Sequence, residues 1–290
     1  MEINLCRWME KLDGGKPVLQ YNIAGTHDSV TQYVQLPHIT RCQSRNIYEQ
    51  LCTGIRLLDI RAESRRERLK MVHAFAKAFN TPNRLGKQMD MADVLEHCCH
   101  FLSENPNETI LFLFKNDSKG SDEQCLDNLY HTYIAGDESR WFLENRIPLL
   151  DEARGRIVLL NRCKTESGSA IGINCTAWED QGENVPYPLS LETGGACSET
   201  FVLQDRYMYK PEEKWNRCVK PFLDEASEFS GKYIINYLST AGGIKGPRGN
   251  AKYINSQFIN YPLKKENYYG IICCDFPTEE LTRKIIETNL

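Results

Sequence analysis

Eight apolar runs, rich in β-branched and aromatic residues and bounded by polar turns, recur along the whole chain. They are VLQYNIAG (18–25), GIRLLDIRAE (54–63), LKMVHAF (69–75), TILFLFKND (109–117), GRIVLLNRC (155–163), TFVLQDRY (200–207), KYIINYLST (232–240) and YGIICCDFP (269–277). Between them lie segments with apolar residues at helical spacing, such as MADVLEHCCHFLSENP (91–106), which stops at Asn105-Pro106 just before a strand run. Short apolar runs between turn signals read as buried strands, and three-to-four-residue spacing reads as helix. SDEQCLDNLYHTYIA (121–135), EKWNRCVKPFLDEASE (213–228) and TEELTRKIIETN (278–289) read as helices. Pro221 is placed to kink or end the second, and Thr278 to N-cap the third. Strands alternating with helices pair mainly in parallel, and eight of them predict a closed or nearly closed α/β barrel. A length of 290 residues suits one such barrel. No repeat, low-complexity tract or linker divides it, so one domain spans 1–290. The long Gly/Ser-rich loop 164–198 reads as an interruption within that domain.

Composition narrows the function. The chain is 41% hydrophobic and 26% charged with a net charge of −4, which lacks the basic footprint of a nucleic-acid binder. The locally basic ESRRERLK (63–70) interleaves acids and reads as a solvated hairpin or loop. No run of 18 apolar residues predicts a membrane-spanning helix. The start, MEINLCRWMEKLDGG, has no charged segment leading into an apolar one, so no signal peptide is expected in this sequence. Twelve cysteines occur without a CxxC pair, which argues against a zinc ribbon. They fit free, mostly buried thiols in a reducing compartment better than a disulfide framework.

Polar residues gather at the ends of the strand runs. Thr26-His27-Asp28 follows the first, Asp59 and Arg61 lie in the second, His73 closes the third and Lys115 the fourth. Arg162 closes the fifth, Asp205 and Tyr207 the sixth, and Asp275 the last. Side chains at the C-terminal ends of parallel strands converge on one barrel face. Two histidines there could serve as base and acid, a carboxylate beside each would fix its tautomer, and Arg and Lys would stabilise developing phosphoryl charge. Arg162, Asp205 and Tyr207 could grip a polyol ring. No carboxylate cluster suited to Mg²⁺ or Ca²⁺ stands at the strand ends, so no metal or cofactor is expected. Each residue also has a structural reading: a satisfied histidine, an Asp59–Arg61 ion pair, a solvent-reaching strand end at Lys115, an edge-strand surface at Asp205 and Tyr207. His38, His97, His100 and His131 fall in helical or loop contexts and read as structural. The residues alone leave phosphoryl and glycosyl transfer both open.

Six pieces in order carry a resemblance. They are IAGTHDSVT (23–31), CQSRNIYEQLCTGIRLLDIRAE (42–63), LKMVHAF, VLEHCCHFLSENPNETILFLFK (94–115), LQDRYMY (203–209) and GIICCDFPTEEL (270–281). From 18 to 289 the chain resembles bacterial phosphatidylinositol-specific phospholipase C. That resemblance implies a distorted (β/α)8 TIM-type barrel and metal-independent cleavage of phosphatidylinositol to inositol 1,2-cyclic phosphate and diacylglycerol. It implies His27 as general base oriented by Asp275, and His73 as general acid with Asp28 as partner. It places Arg61 on the phosphorane, where eukaryotic relatives hold Ca²⁺, and Lys115, Arg162, Asp205 and Tyr207 on the inositol ring. A monomer making transient contact with a membrane surface is also implied. Secreted relatives carry a signal peptide, few cysteines and exposed rim tryptophans. Here the rim segments VQLPHITRCQSRN (34–46) and STAGGIKGPRGNAKYIN (239–255) lack Trp. The second reads as a glycine-rich loop whose Lys245, Arg248 and Lys252 could touch anionic headgroups. Two other functions fit the same residues: a phosphodiesterase for glycosylphosphatidylinositol or glycerophosphoinositol, and a non-catalytic inositol-phosphate-binding module.

Overall fold

The computed structural model describes residues 3–83, 86–166, 171–182, 187–265 and 267–290. Its central sheet is a run of parallel strands in the spatial order Thr200–Gln204, Tyr233–Tyr237, Ile271–Cys274, Ile23–Thr26, Leu57–Arg65, Ile110–Asn116 and Ile157–Asn161. The short strands Trp141–Phe142 and Ile173–Asn174 continue it in parallel beyond Ile157–Asn161. At the other end Leu189–Glu192 adds antiparallel to Thr200–Gln204. Among the described residues no strand pair joins the two ends of this distorted barrel.

Alternation along the strands sorts the core into two layers. Leu57, Leu111, Leu113, Val158, Leu160, Leu203, Ile235 and Ile271 fill the interior. Leu58, Ile60, Phe112, Phe114 and Leu159 face outward against helices. The helix Met91–Glu104 shows how that outer layer forms. Asp90 caps it by accepting from the Ala92 N–H, and Met91, Val94, Cys98, Phe101 and Leu102 make one buried stripe. The N-terminal segment supplies the barrel floor, with Leu5, Trp8, Met9, Val18 and Leu19 buried beneath the interior layer.

Several elements differ from the sequence reading. In VLQYNIAG only Ile23–Thr26 is strand, and Val18–Gln20 is a 3₁₀ turn. LKMVHAF is not a parallel barrel strand. The Leu57–Arg65 strand overshoots the sheet, turns at Arg66-Glu67, and returns antiparallel as Arg68–His73, with Ala62 opposite Met71 and Arg65 opposite Arg68. This hairpin holds the basic 63–70 run and brings His73 back to the barrel mouth. The 213–228 segment continues the turn Pro211–Lys214 without a break: the π-turn Trp215–Val219 leads directly into the helix Lys220–Asp224, with Pro221 just past the π-turn. Of loop 164–198, residues 167–170 and 183–186 lie outside the described residues, and the rest contains the strands Ile173–Asn174 and Leu189–Glu192. The rim segment read as a glycine-rich loop is half helix: Gly246–Asn260, opened by Pro247. Its first residue sits at φ +65°, and a Cβ there would stand 2.2 Å from the His38 carbonyl oxygen. Only glycine fits so close an approach. The short rim helix Pro37–Thr40 thereby packs directly on this helix. Thr278 caps the closing helix Glu279–Ile286 as expected, accepting from the Leu281 N–H.

Candidate active site

Sheet register assembles the mouth. The first and last strands are neighbours, with Thr26 opposite Cys274, so His27 and Asp275 leave the sheet side by side. Arg61 lies opposite Lys115, and Phe114 opposite Asn161, which puts Arg162 next in the same layer. Gln204 lies opposite Asn236, and Asp205 follows it. His27, Arg61, His73, Lys115, Arg162, Asp205, Tyr207 and Asp275 all border one cavity of about 280 Å³, and Asp28 is fully buried beneath it.

Two imidazoles share one carboxylate at the base of this cavity. Asp28 Oδ2 lies 2.9 Å from His27 Nε2 and 3.1 Å from His73 Nε2. The other nitrogen of each ring also meets an acceptor. His27 Nδ1 is 2.8 Å from Asp275 Oδ1, and His73 Nδ1 is 2.7 Å from the Thr40 carbonyl oxygen. Acceptors beside both ring nitrogens of His27 suit its imidazolium form. For His27, burial opposes the charge, but Asp28 and Asp275 outweigh it and hold the group well above its ordinary 6.5. Burial likewise opposes ionisation of Asp28, yet Arg61, His73 and His27 together hold it well below the usual carboxylate range. The turn is locked from below. Asp28 takes φ +44°, its carbonyl accepts from Thr31 Oγ1 at 2.7 Å, and Gln43 Nε2 donates to the His27 carbonyl at 2.7 Å.

Arg61 stands among three carboxylates. Its Nε lies 3.2 Å from Asp28 Oδ1, its Nη2 3.1 Å from Asp59 Oδ2, and its Nη1 3.9 Å from Asp117 Oδ2. Burial works against the guanidinium, but these three partners raise it well above its ordinary value. Asp117 also accepts from the Ala74 N–H at 2.7 Å and pairs with Lys115 at 3.4 Å.

The far wall is aromatic and acidic. The Arg162 guanidinium lies 4.2 Å from the centroid of the Trp178 ring, within cation–π range. Tyr207 donates its hydroxyl to Asp180 Oδ1 at 2.7 Å. Burial raises Asp205, against the pull of Arg162 and Lys214. Beneath them Lys214, fully buried, donates to Gln204 Oε1 at 2.8 Å and to the Arg206 carbonyl at 2.7 Å, and burial lowers it to about 8. Those bonds pin the 204–206 turn that carries Asp205 toward the cavity.

The nine catalytic and ring-binding candidates therefore border this cavity or, for Asp28, lie beneath it. Thr200–Gln204 is not an edge strand, Lys115 borders the cavity, and Asp59 and Arg61 form an ion pair within the site. Sequence reasoning missed Asp117, Cys42, Asp180 and Lys214. Asp117 had a signal, because it lies two residues past Lys115 and so on the same strand face. Cys42 had none, since its position depends on the rim turn and not on a strand.

Comparison with known proteins follows the same outline. The family model of the phosphatidylinositol-specific phospholipase C X domain matches residues 15–163. A 1-phosphatidylinositol phosphodiesterase of Listeria monocytogenes is 26% identical, over 98% of this chain and 84% of its own length. One of Staphylococcus aureus is 29% identical, over 89% of this chain and 82% of its own length. Among solved structures, a phosphatidylinositol-specific phospholipase C of S. aureus superposes with a TM-score of 0.78 at 23% identity, covering 99% and 98% of the two chains. The L. monocytogenes enzyme superposes with a TM-score of 0.76 at 23% identity, covering 99% and 100%. The distorted TIM barrel is the fold they share.

Proposed function

The chain belongs to the family of phosphatidylinositol-specific phospholipase C X domains, and from that premise we propose that it cleaves phosphatidylinositol into inositol 1,2-cyclic phosphate and diacylglycerol without a metal ion. One observation carries the reading: two imidazoles with ring centroids 5.9 Å apart, both on Asp28, beside a guanidinium at the floor of one cavity. A phosphoryl group between two such rings has a base on one side and an acid on the other.

His27 takes the proton of the inositol 2-hydroxyl while that oxygen attacks phosphorus. For this step His27 must be neutral, with Nδ1–H held by Asp275 and the Nε2 lone pair turned from Asp28 to the hydroxyl. His73, its Nδ1 on the Thr40 carbonyl and its Nε2 beside Asp28, gives the Nε2 proton to the departing diacylglycerol oxygen. Arg61 meets the charge growing on the phosphoryl oxygens. It arrives preorganised by Asp28, Asp59 and Asp117, so it needs no reorganisation during reaction. Arg61 supplies there the fixed positive charge for which a Ca²⁺ ion would otherwise be needed. Lys115, Arg162, Asp205 and Tyr207 hold the ring hydroxyls and face.

Contact with a membrane surface is supported by the rim. Among the described residues seven large apolar side chains are exposed, and five of them, Leu36, Ile39, Phe75, Met208 and Ile244, lie on segments that border the cavity or pack on its rim. Leu36, Ile39 and Ile244 lie on the two rim segments that lack tryptophan. Lys245, Arg248 and Lys252, exposed at one-turn spacing along the start of the Gly246–Asn260 helix, add about 1 kcal/mol each near an anionic surface.

The test is ³¹P NMR of the products from phosphatidylinositol, with and without EDTA, for the parent chain, His27→Ala and His73→Ala. The expected result is a cyclic phosphate signal unaffected by EDTA, with rates about 10²–10⁴-fold lower in each variant. Unchanged rates in either variant refute the roles. Loss in EDTA with recovery in Ca²⁺ refutes metal independence. Inositol binding with no turnover of any inositol phosphodiester leaves a binding module.

A further inference from the structure

Cys42 enters the cavity beside the two histidines, and nothing in the reaction uses it. Its Sγ, a ring nitrogen of His27 and a carboxylate oxygen of Asp28 all lie within 4.8 Å of one another. The same Sγ is 4.0 Å from His73 Nδ1. Though Cys42 is almost fully buried, it borders the cavity that holds both rings. Its backbone is fixed, with the N–H donating to Thr31 Oγ1 at 3.0 Å and the carbonyl accepting from the Phe276 N–H at 2.9 Å. The thiol is therefore held at the site by the same rim turn that positions Thr40 behind His73.

We propose that Cys42, His27 and Asp28 form an inhibitory site for a thiophilic divalent cation of the Zn²⁺ or Cd²⁺ type. Sulfur, imidazole nitrogen and carboxylate oxygen are the donor set such ions take, at about 2.0–2.3 Å from a zinc ion. A tetrahedral ion with those bond lengths spaces its ligands by about 3.3–3.6 Å. The three atoms thus close on the ion by rotation of His27 and Asp28, and the fourth position opens to the cavity. Charge balances as the ion enters. One proton leaves the His27 imidazolium, one leaves the Cys42 thiol, and one dication replaces them. Arg61, 3.2 Å from Asp28, opposes a net gain of positive charge, and this exchange brings none. Hard cations such as Ca²⁺ and Mg²⁺ gain nothing from a thiolate or an imidazole and are not held here. Occupation removes His27 from the attacking hydroxyl, so the ion competes with substrate. That consequence rests on the proposed phosphodiesterase reading, whereas the site itself does not.

Two measurements separate site from consequence. The first titrates Cd²⁺ into the resting protein and follows the ultraviolet sulfur-to-cadmium absorption in the parent chain, Cys42→Ala, His27→Ala and the exposed-cysteine control Cys197→Ala. Loss of the tightest cysteine-linked step in Cys42→Ala, a weakening of about tenfold or more in His27→Ala, and no change in Cys197→Ala are expected. An unchanged tightest step in Cys42→Ala overturns the site. The second measures inhibition by Cd²⁺ and Zn²⁺, each variant read against its own metal-free rate. Cys42→Ala is expected to need at least about tenfold more ion for half-inhibition, with Ca²⁺ and Mg²⁺ inert. Equal inhibition of parent and Cys42→Ala overturns the consequence. A parent chain with no phosphodiesterase activity refutes the proposed function and leaves the cadmium titration to decide the site.

Discussion

Two arginines five residues apart, Arg56 just before the Leu57–Arg65 strand and Arg61 halfway along it, are used in opposite ways. Arg56, at the floor, is fully buried and saturated. It donates to Glu108 Oε2 through Nε at 2.9 Å and Nη2 at 2.6 Å, and to the carbonyls of Leu51, Ile55, Leu5 and Cys6. Its guanidinium lies 5.7 Å from the Trp8 ring centroid and 4.7 Å from that of Phe101. Arg61, at the mouth, keeps 14% of its side chain exposed and holds carboxylates at 3.1, 3.2 and 3.9 Å while bordering the cavity. The floor arginine closes the barrel by satisfying every neighbour. The mouth arginine is surrounded by more negative charge than it can neutralise, yet stays open to an anion. What separates structure from function here is whether the donors have been used up, not burial or residue type.

The same substitution at both positions gives the largest effects. Arg61→Lys keeps the charge and loses the planar fork, so kcat is expected to fall about 10²–10³-fold with little change in denaturant midpoint. Arg56→Lys leaves buried carbonyls and Glu108 under-satisfied, so unfolding free energy is expected to drop by about 3 kcal/mol while kcat per folded molecule holds. Paired stability and single-turnover measurements decide; a stability loss at Arg61 as large as at Arg56 erases the contrast.

A second effect concerns pH. A general base must be neutral, and Asp28 and Asp275 hold the free-enzyme His27 above 6.5 against burial. The acid limb of kcat/KM is therefore expected to bend above pH 6.5, with activity rising as pH increases through it. Asp275→Asn removes one of the two anions and is expected to move that bend to lower pH. A bend that stays put in Asp275→Asn separates Asp275 from the base.

Lys214 blurs the contrast, because it lies near the mouth but is as closed as Arg56. Its folded-state value of about 8 lies below the ordinary 10.5. Between those values the unfolded chain binds the extra proton, so this group adds stability as pH rises from about 8 toward 10.5. Denaturant melts should show that rise in the parent relative to Lys214→Met, and parallel curves would mean that Lys214 is not held as described. The smallest effect belongs to the rim. Ile39→Ser, Phe75→Ser and Ile244→Ser combined are expected to lower binding to anionic vesicles severalfold while sparing turnover of a soluble inositol phosphodiester. Equal loss on both substrates would assign these residues to the pocket.

The sequence made the strand runs and their end residues legible because alternation and register obey fixed geometry. His27, Asp275, Arg61, Lys115 and Arg162 could be placed on one face because each lies in or follows a strand run. His73 reached the expected place by another route, since periodicity does not reveal whether a run after a hairpin returns antiparallel. The Gly246–Asn260 helix was hidden by Gly246 and Gly249, whose low propensity is overridden by packing, although Pro247 was a usable start signal. Lys214 was hidden because a lysine in a polar stretch gives no hint of burial. Asp28 was expected on one side of the reaction, and instead its Oδ2 bridges both imidazoles.

Gly246 sets how the mouth can change. A methyl group there would meet the His38 carbonyl at 2.2 Å, so the Pro37–Thr40 turn and the Gly246–Asn260 helix behave as one lip, not two. Reshaping the entrance for a bulkier headgroup therefore cannot proceed by retuning either segment alone. A variant library that randomises 34–41 and 244–250 independently will consist mostly of chains that have lost the seat between them, whereas one that holds Gly246 fixed and varies the outward positions around it explores intact mouths.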